Sequence, residues 1–317
     1  MVKEKVIEVV KLKKYFKERN KNVLKAVDDI SFTLYEGEVL GLIGESGCGK
    51  STIARTIVGY YKPTEGKVLY KGQNIHQFNK KQLKNYTKEA QMIFQDPSNS
   101  LDPRMRIVDI VGEGIDIHRI ASGDERLDRI YKVLNDVGLN RSLIYRFPHE
   151  FSGGQKQRIS IARALALEPR FLICDEPISA LDVSIRVQIV NLLKRLQKNY
   201  KLTYLFITHD LSTLKYIANR VAIMYRGSIL EIATTEDIYR NPLHPYTKVL
   251  LSSIPIPDPD VEKNRYIEIL GNRKFQKMSE GGCKFRGLCK YSKKICFEIE
   301  PCFNEIDSNH FVRCHLY

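Results

Sequence analysis

Glu38-Val39-Leu40-Gly41-Leu42-Ile43 runs directly into Gly44-Glu45-Ser46-Gly47-Cys48-Gly49-Lys50-Ser51, and a helical stretch follows from Lys50 to Val58. Strand, glycine-rich loop and helix, in that order, form the setting that a phosphate-binding loop of the pattern G-x-x-x-x-G-K-[S/T] requires. Glycines let the backbone wrap an anion closely, so several N–H groups and the helix N-terminus point at phosphate. On this reading Lys50 reaches the β- and γ-phosphates of ATP and the Ser51 hydroxyl ligates Mg²⁺. Gly44, Ser46, Gly47, Cys48, Gly49 and Thr52 complete the cradle, with Cys48 contributing its backbone and its neighbours the chemistry. The bland alternative, a structural turn, is disfavoured by the strand and helix on either side.

Working outward, Val6–Val10 is β-rich, Ile30–Leu34 alternates and Glu36-Gly37 reads as a turn. From about 100 to 168 the periodicity turns helical, with segments at Asp124–Val137 and Gln155–Leu167, the second stopping before Pro169. Two buried-type strands follow, Phe171–Cys174 and Tyr204–Ile207, separated by an amphipathic helix over Ser184–Tyr200. That β-α-β spacing predicts a parallel sheet. The first of these strands delivers Asp175-Glu176-Pro177 to the edge where parallel sheets bind ligands. Asp175 suits a Mg²⁺ role and Glu176 a general base that polarises the attacking water. The second strand ends in Thr208-His209-Asp210, which puts His209 at the same edge as a γ-phosphate contact rather than a structural histidine. Ser152-Gly153-Gly154-Gln155 opens a helix and forms a second anion site. One ATP does not need two cradles, so two half-sites, each completed by a partner chain, explain the surplus.

The chain has 317 residues, and 43% of them are hydrophobic, enough for one large α/β domain plus an extension. No apolar run reaches the roughly 18 residues of a membrane span, and Met1–Lys5 is charged, unlike a signal peptide. A protein made and kept in the cytosol is expected, docked on membrane proteins at the cytoplasmic face. Lys and Arg outnumber acids 51 to 37, for a net charge of +14. The basic residues are interspersed with acids from Lys3 to Arg313, which speaks against a nucleic-acid partner.

Gly44–Ser51, Ser152–Gln155, Asp175-Glu176, Ser179-Ala180-Leu181-Asp182 and His209, in that order, resemble the nucleotide-binding subunits of ATP-binding-cassette (ABC) transporters. The resemblance covers residues from about 6 to 240. It implies an α/β fold: a P-loop nucleotide-binding core at 1–240, an inserted helical subdomain near 96–165 and an antiparallel β portion near the N-terminus. It further implies that Gln95 senses Mg²⁺, that Phe16 stacks on adenine with Tyr15 as the other candidate, and that Asp182 belongs to the nucleotide site. Phe151 stands where the family signature usually has leucine. Two such subunits would sandwich two ATP molecules head to tail, and the helical part would pass the motion to membrane partners.

A narrower resemblance rests on Phe94–Arg104, Asn241-Pro242-Leu243-His244-Pro245-Tyr246-Thr247 and the C-terminal cysteines, which look like the dipeptide/oligopeptide importers. Ser152–Arg158 and Ile254–Pro259 resemble the second of their two ATPase subunits. Implied partners are a sister ATPase subunit or a second copy, two membrane permeases and, indirectly, an extracytoplasmic peptide-binding protein. Nickel and some sugar importers share this branch. A soluble cassette ATPase acting on DNA or ribosomes is the rival. It is disfavoured by the short interval between Ser51 and Ser152 and by the presence of one cassette alone.

After Pro242 the composition shifts: Pro245, Pro255, Pro257 and Pro259 suggest a linker, and residues 241–317 a separate extension. Of seven cysteines, Cys48 and Cys174 stand alone, the latter in a buried strand. Cys283, Cys289, Cys296, Cys302 and Cys314 crowd the end without a C-x-x-C knuckle. Wide spacings suit an iron–sulfur cluster. Resemblance to the importer extension implies [4Fe–4S] on Cys283, Cys289, Cys296 and Cys314, with Cys302 spare. Zinc, with His310 and His315 available, and a metal-free tail remain open. With few aliphatic residues, the tail is expected to depend on the metal for order.

Overall fold

The computed structural model describes residues 4–17, 23–255, 271 and 281–317. Near the N-terminus β1 (Lys5–Lys17) and β2 (Val23–Tyr35) form a long antiparallel pair. The chain then enters β3 (Val39–Ile43), the phosphate loop and α1 (Lys50–Ile57). β4 (Glu65–Tyr70) and β5 (Gln73–Asn74) return to β1, giving a four-stranded antiparallel sheet ordered β2-β1-β4-β5. α2 (Lys80–Glu89), opened by an Asn79–Gln82 capping box, leads to β6 (Ala90–Ile93).

Four helices follow before the chain returns to the sheet: α3 (Pro97–Ser100), α4 (Ile107–His118), α5 (Gly123–Asp136) and α6 (Gly153–Leu165). Ile110, Val111 and Ile115 of α4 and Ile130 and Leu134 of α5 recur at helical spacing and are buried in one apolar core with α6. α6 ends at Leu165, two residues earlier than the apolar pattern suggests. Glu168 takes a left-handed φ of 51° and its N–H closes on the Leu165 carbonyl at 2.8 Å, reversing the chain ahead of Pro169.

The remaining core elements are β7 (Phe171–Asp175), α7 (Val183–Tyr200), β8 (Thr203–Thr208), α8 (Leu211–Ile217), β9 (Arg220–Tyr225) and β10 (Ser228–Thr234). β3 lies parallel between β8 and β9, and β7 parallel between β8 and β6. Every residue of β3, β7 and β8 is buried, as expected of strands covered on both faces. The fold is α/β with a mixed main sheet.

The tail corrects one expectation. Pro245 lies in no linker: it opens α10 (Pro245–Ser252), where proline's fixed φ suits the first helical turn, after α9 (Thr235–Arg240). Pro257 and Pro259 fall outside the described residues. The described tail also packs on the core. α11 (Ile295–Glu298) precedes β11 (Asn304–Asp307) and β12 (His310–Val312), and β12 pairs with β10 to extend the main sheet to eight strands. Beneath this seam the buried Glu231 carboxylate accepts from Leu243 N at 2.7 Å, His244 N at 2.9 Å and the Thr247 hydroxyl, and lies 2.7 Å from His310 Nε2. A buried carboxylate needs this many partners. Phe285 adds a ring cluster with Tyr225, Tyr246 and His244.

Candidate nucleotide site

The phosphate loop is held where only glycine fits. Gly49 has φ of 109°, and a Cβ there would lie 2.1 Å from the Ala26 carbonyl oxygen; at Gly44 it would lie 2.3 Å from that of Met224. Lys50 is 5% exposed and curls back so that Nζ donates to the Gly44 carbonyl at 2.7 Å and that of Glu45 at 2.9 Å. Its ammonium thus sits over the loop that an anion would occupy. α1 has no side-chain cap and no acid in its first turn, so its N-terminal N–H groups face the loop undiluted.

Asp175 ends β7 and is buried, and its Oδ1 accepts from the Ser51 hydroxyl at 3.1 Å. Burial pushes the Asp175 carboxyl above its ordinary range, while the Ser51 hydrogen bond opposes it. Such a pair fits a divalent cation, which would stabilise the buried charge. Glu176 follows with a left-handed φ of 46°, a strained conformation for a side-chain-bearing residue. Its N–H donates to the Ile207 carbonyl of β8 at 3.0 Å. Gln95 Nε2 donates to Glu176 Oε2 at 3.0 Å, and His209 Nδ1 lies 3.4 Å from the same oxygen. Three sheet strands, β6, β7 and β8, therefore deliver Gln95, Asp175-Glu176 and His209 to one edge.

Phe16 lines the far end of the same cleft with Leu24, Lys25 and Ala26. Its ring meets Tyr61 edge-on at 5.3 Å and lies 4.9 Å from Lys14 Nζ. Tyr15, the other candidate, points its hydroxyl at Asp28 Oδ1, 2.5 Å away. Ser46, Gly47, Cys48, Thr52, Gln95 and His209 also line this cleft. Burial pushes the Cys48 thiol up, against the pull of Lys50, so it stays protonated.

Ser152, Gly153, Gly154, Gln155 and Asp182 are not among the residues lining the cleft. Ser152 caps α6 in a reciprocal box: its Oγ accepts from Gln155 N at 3.3 Å and its N–H donates to Gln155 Oε1 at 3.0 Å. Ser152 and Gly153 are exposed, and so is Asp182 at the start of α7. The start of α6 is thus open at the surface of this chain. Buried Phe151 packs into the core beneath it.

Sequence reasoning overlooked Arg226 and Gly227, which also line the cleft. The signal was a two-residue turn between β9 and β10, with φ of 41° and 83°, and a hairpin turn is a weak pointer to ligand.

The C-terminal thiols do not form a ready metal site. Among the described residues no group of three or more His, Cys, Asp or Glu is arranged to hold a metal ion. Burial pushes Cys283 up to about 12, with smaller contributions from neighbouring Cys314, Cys296 and Cys289. Burial likewise raises Cys289 and Cys314, which favours neutral thiols over the thiolates a metal needs. Those four are neighbours, joined at the backbone where Cys283 N donates to the Cys296 carbonyl at 2.8 Å, and Cys302 is exposed. His310 is taken by Glu231, and His315 Nε2 lies 2.8 Å from the Ile299 carbonyl oxygen.

A family profile described as "ABC transporter" matches residues 27–179, and one described as "Oligopeptide/dipeptide transporter, C-terminal region" matches 230–296. The chain is 56% identical over 264 residues to the oligopeptide transport ATP-binding protein OppF of Bacillus subtilis (strain 168), covering 83% of this chain and 86% of that one. It is 49% identical over 314 residues to the putative oligopeptide transport ATP-binding protein YkfD of the same organism, covering 98% and 95%. Among solved structures, the ATP-binding cassette MJ0796 in a dimeric post-hydrolysis state with ADP and Pi aligns with a TM-score of 0.66 at 27% identity, covering 72% of this chain and 98% of that one. The cbiO1 protein from Clostridium perfringens, part of the ABC transporter complex cbiONQ, aligns with the same score at 27% identity, covering 75% of this chain and 92% of that one.

Proposed function

The chain belongs to the ABC transporter family, among its oligopeptide-transport ATP-binding proteins, and on that premise we propose that it drives peptide uptake as one half of a two-subunit motor on membrane permeases. It is an ABC-type ATPase, and no helix among the described residues is long and apolar enough to cross a membrane. The observation that carries the reading is the split between its two anion sites: a phosphate-loop cleft at Lys50, and an exposed capped helix at Ser152 outside it.

In this reading Lys50 leaves the Gly44 and Glu45 carbonyls and pairs with the β- and γ-phosphates of ATP. Ser51 and Asp175, with Gln95 alongside, would hold Mg²⁺, which would supply positive charge beside those phosphates. Glu176 takes the proton from water as its oxygen attacks the γ-phosphorus and the bond to ADP breaks. Gln95 and His209 keep the Glu176 carboxylate aimed. Ser152, Gly153, Gly154, Gln155 and Asp182 complete the cleft of a sister ATPase or second copy, and Phe16 carries adenine. Exposed Phe94 and Tyr60, beside the Gln95 strand, line a groove between α1, β6 and α6 suited to a permease segment. The motor then sits on the cytoplasmic face of the membrane, with a peptide-binding protein acting outside.

Purification from membranes tests this. Two permeases and a second ATPase subunit should accompany the chain, and stable association with nucleic acid instead would overturn the assignment.

For the tail, Cys283, Cys289, Cys296 and Cys314 are proposed on the importer resemblance as the ligands of an iron–sulfur cluster, whose binding would have to draw these thiols together and remove their protons. Protein purified without oxygen should carry iron and sulfide, lose both in Cys283→Ser and keep them in Cys302→Ser. A stoichiometric zinc signal without iron would contradict the cluster.

A further inference from the structure

Two cations of the tail reach back to the nucleotide-binding half. Lys284, beside Cys283, places Nζ 2.9 Å from Asp28 Oδ2 and donates to Ser228 Oγ at 2.6 Å. Arg313, beside Cys314, donates to the Asp29 carbonyl at 3.1 Å and pairs with its carboxylate at 3.2 Å. The Lys284 and Asp28 side chains are 17% and 18% exposed, so the pair is far better shielded than a surface bridge.

Asp28 is the junction behind the base end of the cleft. Its Oδ1 accepts the Tyr15 hydroxyl at 2.5 Å, and Tyr15 adjoins Phe16, which lines the cleft. Its N–H donates to Gly227 O at 2.8 Å, and Gly227 N–H donates to Cys48 O at 2.9 Å within the phosphate loop. Ser228 Oγ donates to the Asp28 carbonyl at 2.9 Å. The backbone part of this network belongs to the sheet. The carboxylate part, Lys284–Asp28–Tyr15, depends on the tail.

We propose that Lys284 is a positioning residue for the nucleotide base: by neutralising and orienting Asp28 it fixes Tyr15 and hence the Phe16 platform, so the tail sets affinity for ATP. This rests on Phe16 being the base platform. Without Lys284 the carboxylate keeps one strong partner and is free to turn toward water, and the Tyr15–Phe16 end of β1 loosens. Phosphate binding at Lys50 and the α1 N-terminus needs neither.

The test compares Mg·ATP with Mg·tripolyphosphate, which has the phosphates and no base, by calorimetry on the full chain. Lys284→Met should raise Kd for ATP about five- to tenfold, the net worth of one ordinary hydrogen bond, and leave Kd for tripolyphosphate within about twofold. Lys284→Arg should restore ATP binding to within about twofold. Equal weakening of both ligands would mean a merely structural tie, and no change in either would mean no tie; both overturn the proposal. If Lys284→Met does not fold, Lys284→Gln, which keeps a donor for Ser228 without charge, is held to the same two criteria. Phe16→Ala in parallel separates the two readings. If it does not discriminate between the ligands, the base platform is wrong. If it does and Lys284→Met does not, only the tether fails.

Discussion

Replacing Glu176 with Gln removes the proposed base and almost nothing else. The carboxylate is already hydrogen-bonded through one oxygen, Oε2, to Gln95 Nε2 at 3.0 Å, with His209 Nδ1 at 3.4 Å. Glutamine has the same shape and can turn its carbonyl oxygen to those partners, so the local contacts survive. The strained φ of 46° is unchanged, because the backbone and its bond to Ile207 are untouched. Stability should therefore shift by less than about 1 kcal/mol. An amide cannot take the proton from water, and losing a general base costs about 10²–10⁴-fold, or about 3–5 kcal/mol of barrier. Mg·ATP affinity should stay within about twofold, since Lys50, Ser51 and Asp175 carry the phosphates. Phosphate release at saturating Mg·ATP and equilibrium binding on the same preparation read the two quantities separately. A turnover near that of the parent protein would refute the base assignment, and a tenfold loss of affinity would show that Glu176 binds rather than activates.

Two further outcomes follow from the geometry. Lys50→Ala should weaken Mg·ATP binding at least about tenfold with little change in thermal stability, because the ammonium serves phosphate while its present acceptors are loop carbonyls; unchanged affinity would contradict the cradle. Burial depresses His244 from 6.5 to about 4, so the folded protein holds it neutral, with Nδ1 accepting from Tyr246 N at 3.0 Å. The unfolded chain binds the extra proton first, so this stability is full above about pH 6.5 and is lost as pH falls toward 4, about 2 kcal/mol of it by pH 5. His244→Asn, which keeps a cap acceptor and cannot titrate, should lose that part of the acid sensitivity in melts at pH 7 and 5; an unchanged difference would rule His244 out as its source.

The nucleotide-binding core was legible because its chemistry and its local structure coincide. Gly44–Ser51 carries both the loop conformation and the phosphate contacts, and the apolar runs ending at Asp175 and Thr208 declare both parallel strands and the edge they reach. Gln95 and His209 could be listed from sequence, but not that both converge on the same oxygen of Glu176. How the tail holds to the core was not legible, for a physical reason. Its hold on the core comes from a two-residue-pair strand contact, one buried carboxylate at Glu231 and single cations at Lys284 and Arg313. None of these produces a periodic pattern, and His310 looks like a metal ligand until Glu231 is seen beside it. Pro245 likewise reads as linker punctuation until the buried Tyr246 and Thr247 after it show a packed helix.

Two half-sites on one chain, one binding ATP at Lys50 and one completing a partner's site at Ser152, form the core of this mechanism. Its most direct test is Ser152→Arg, measured for Mg·ATP affinity on the chain and for turnover in the assembled transporter. The serine lies outside the cleft on an exposed helix start, and a bulky cation there blocks the surface offered to a partner's nucleotide. Affinity within about twofold of the parent, with turnover reduced at least about a hundredfold, is the predicted result. An affinity loss matching that of Lys50→Ala, or turnover that persists, would contradict it.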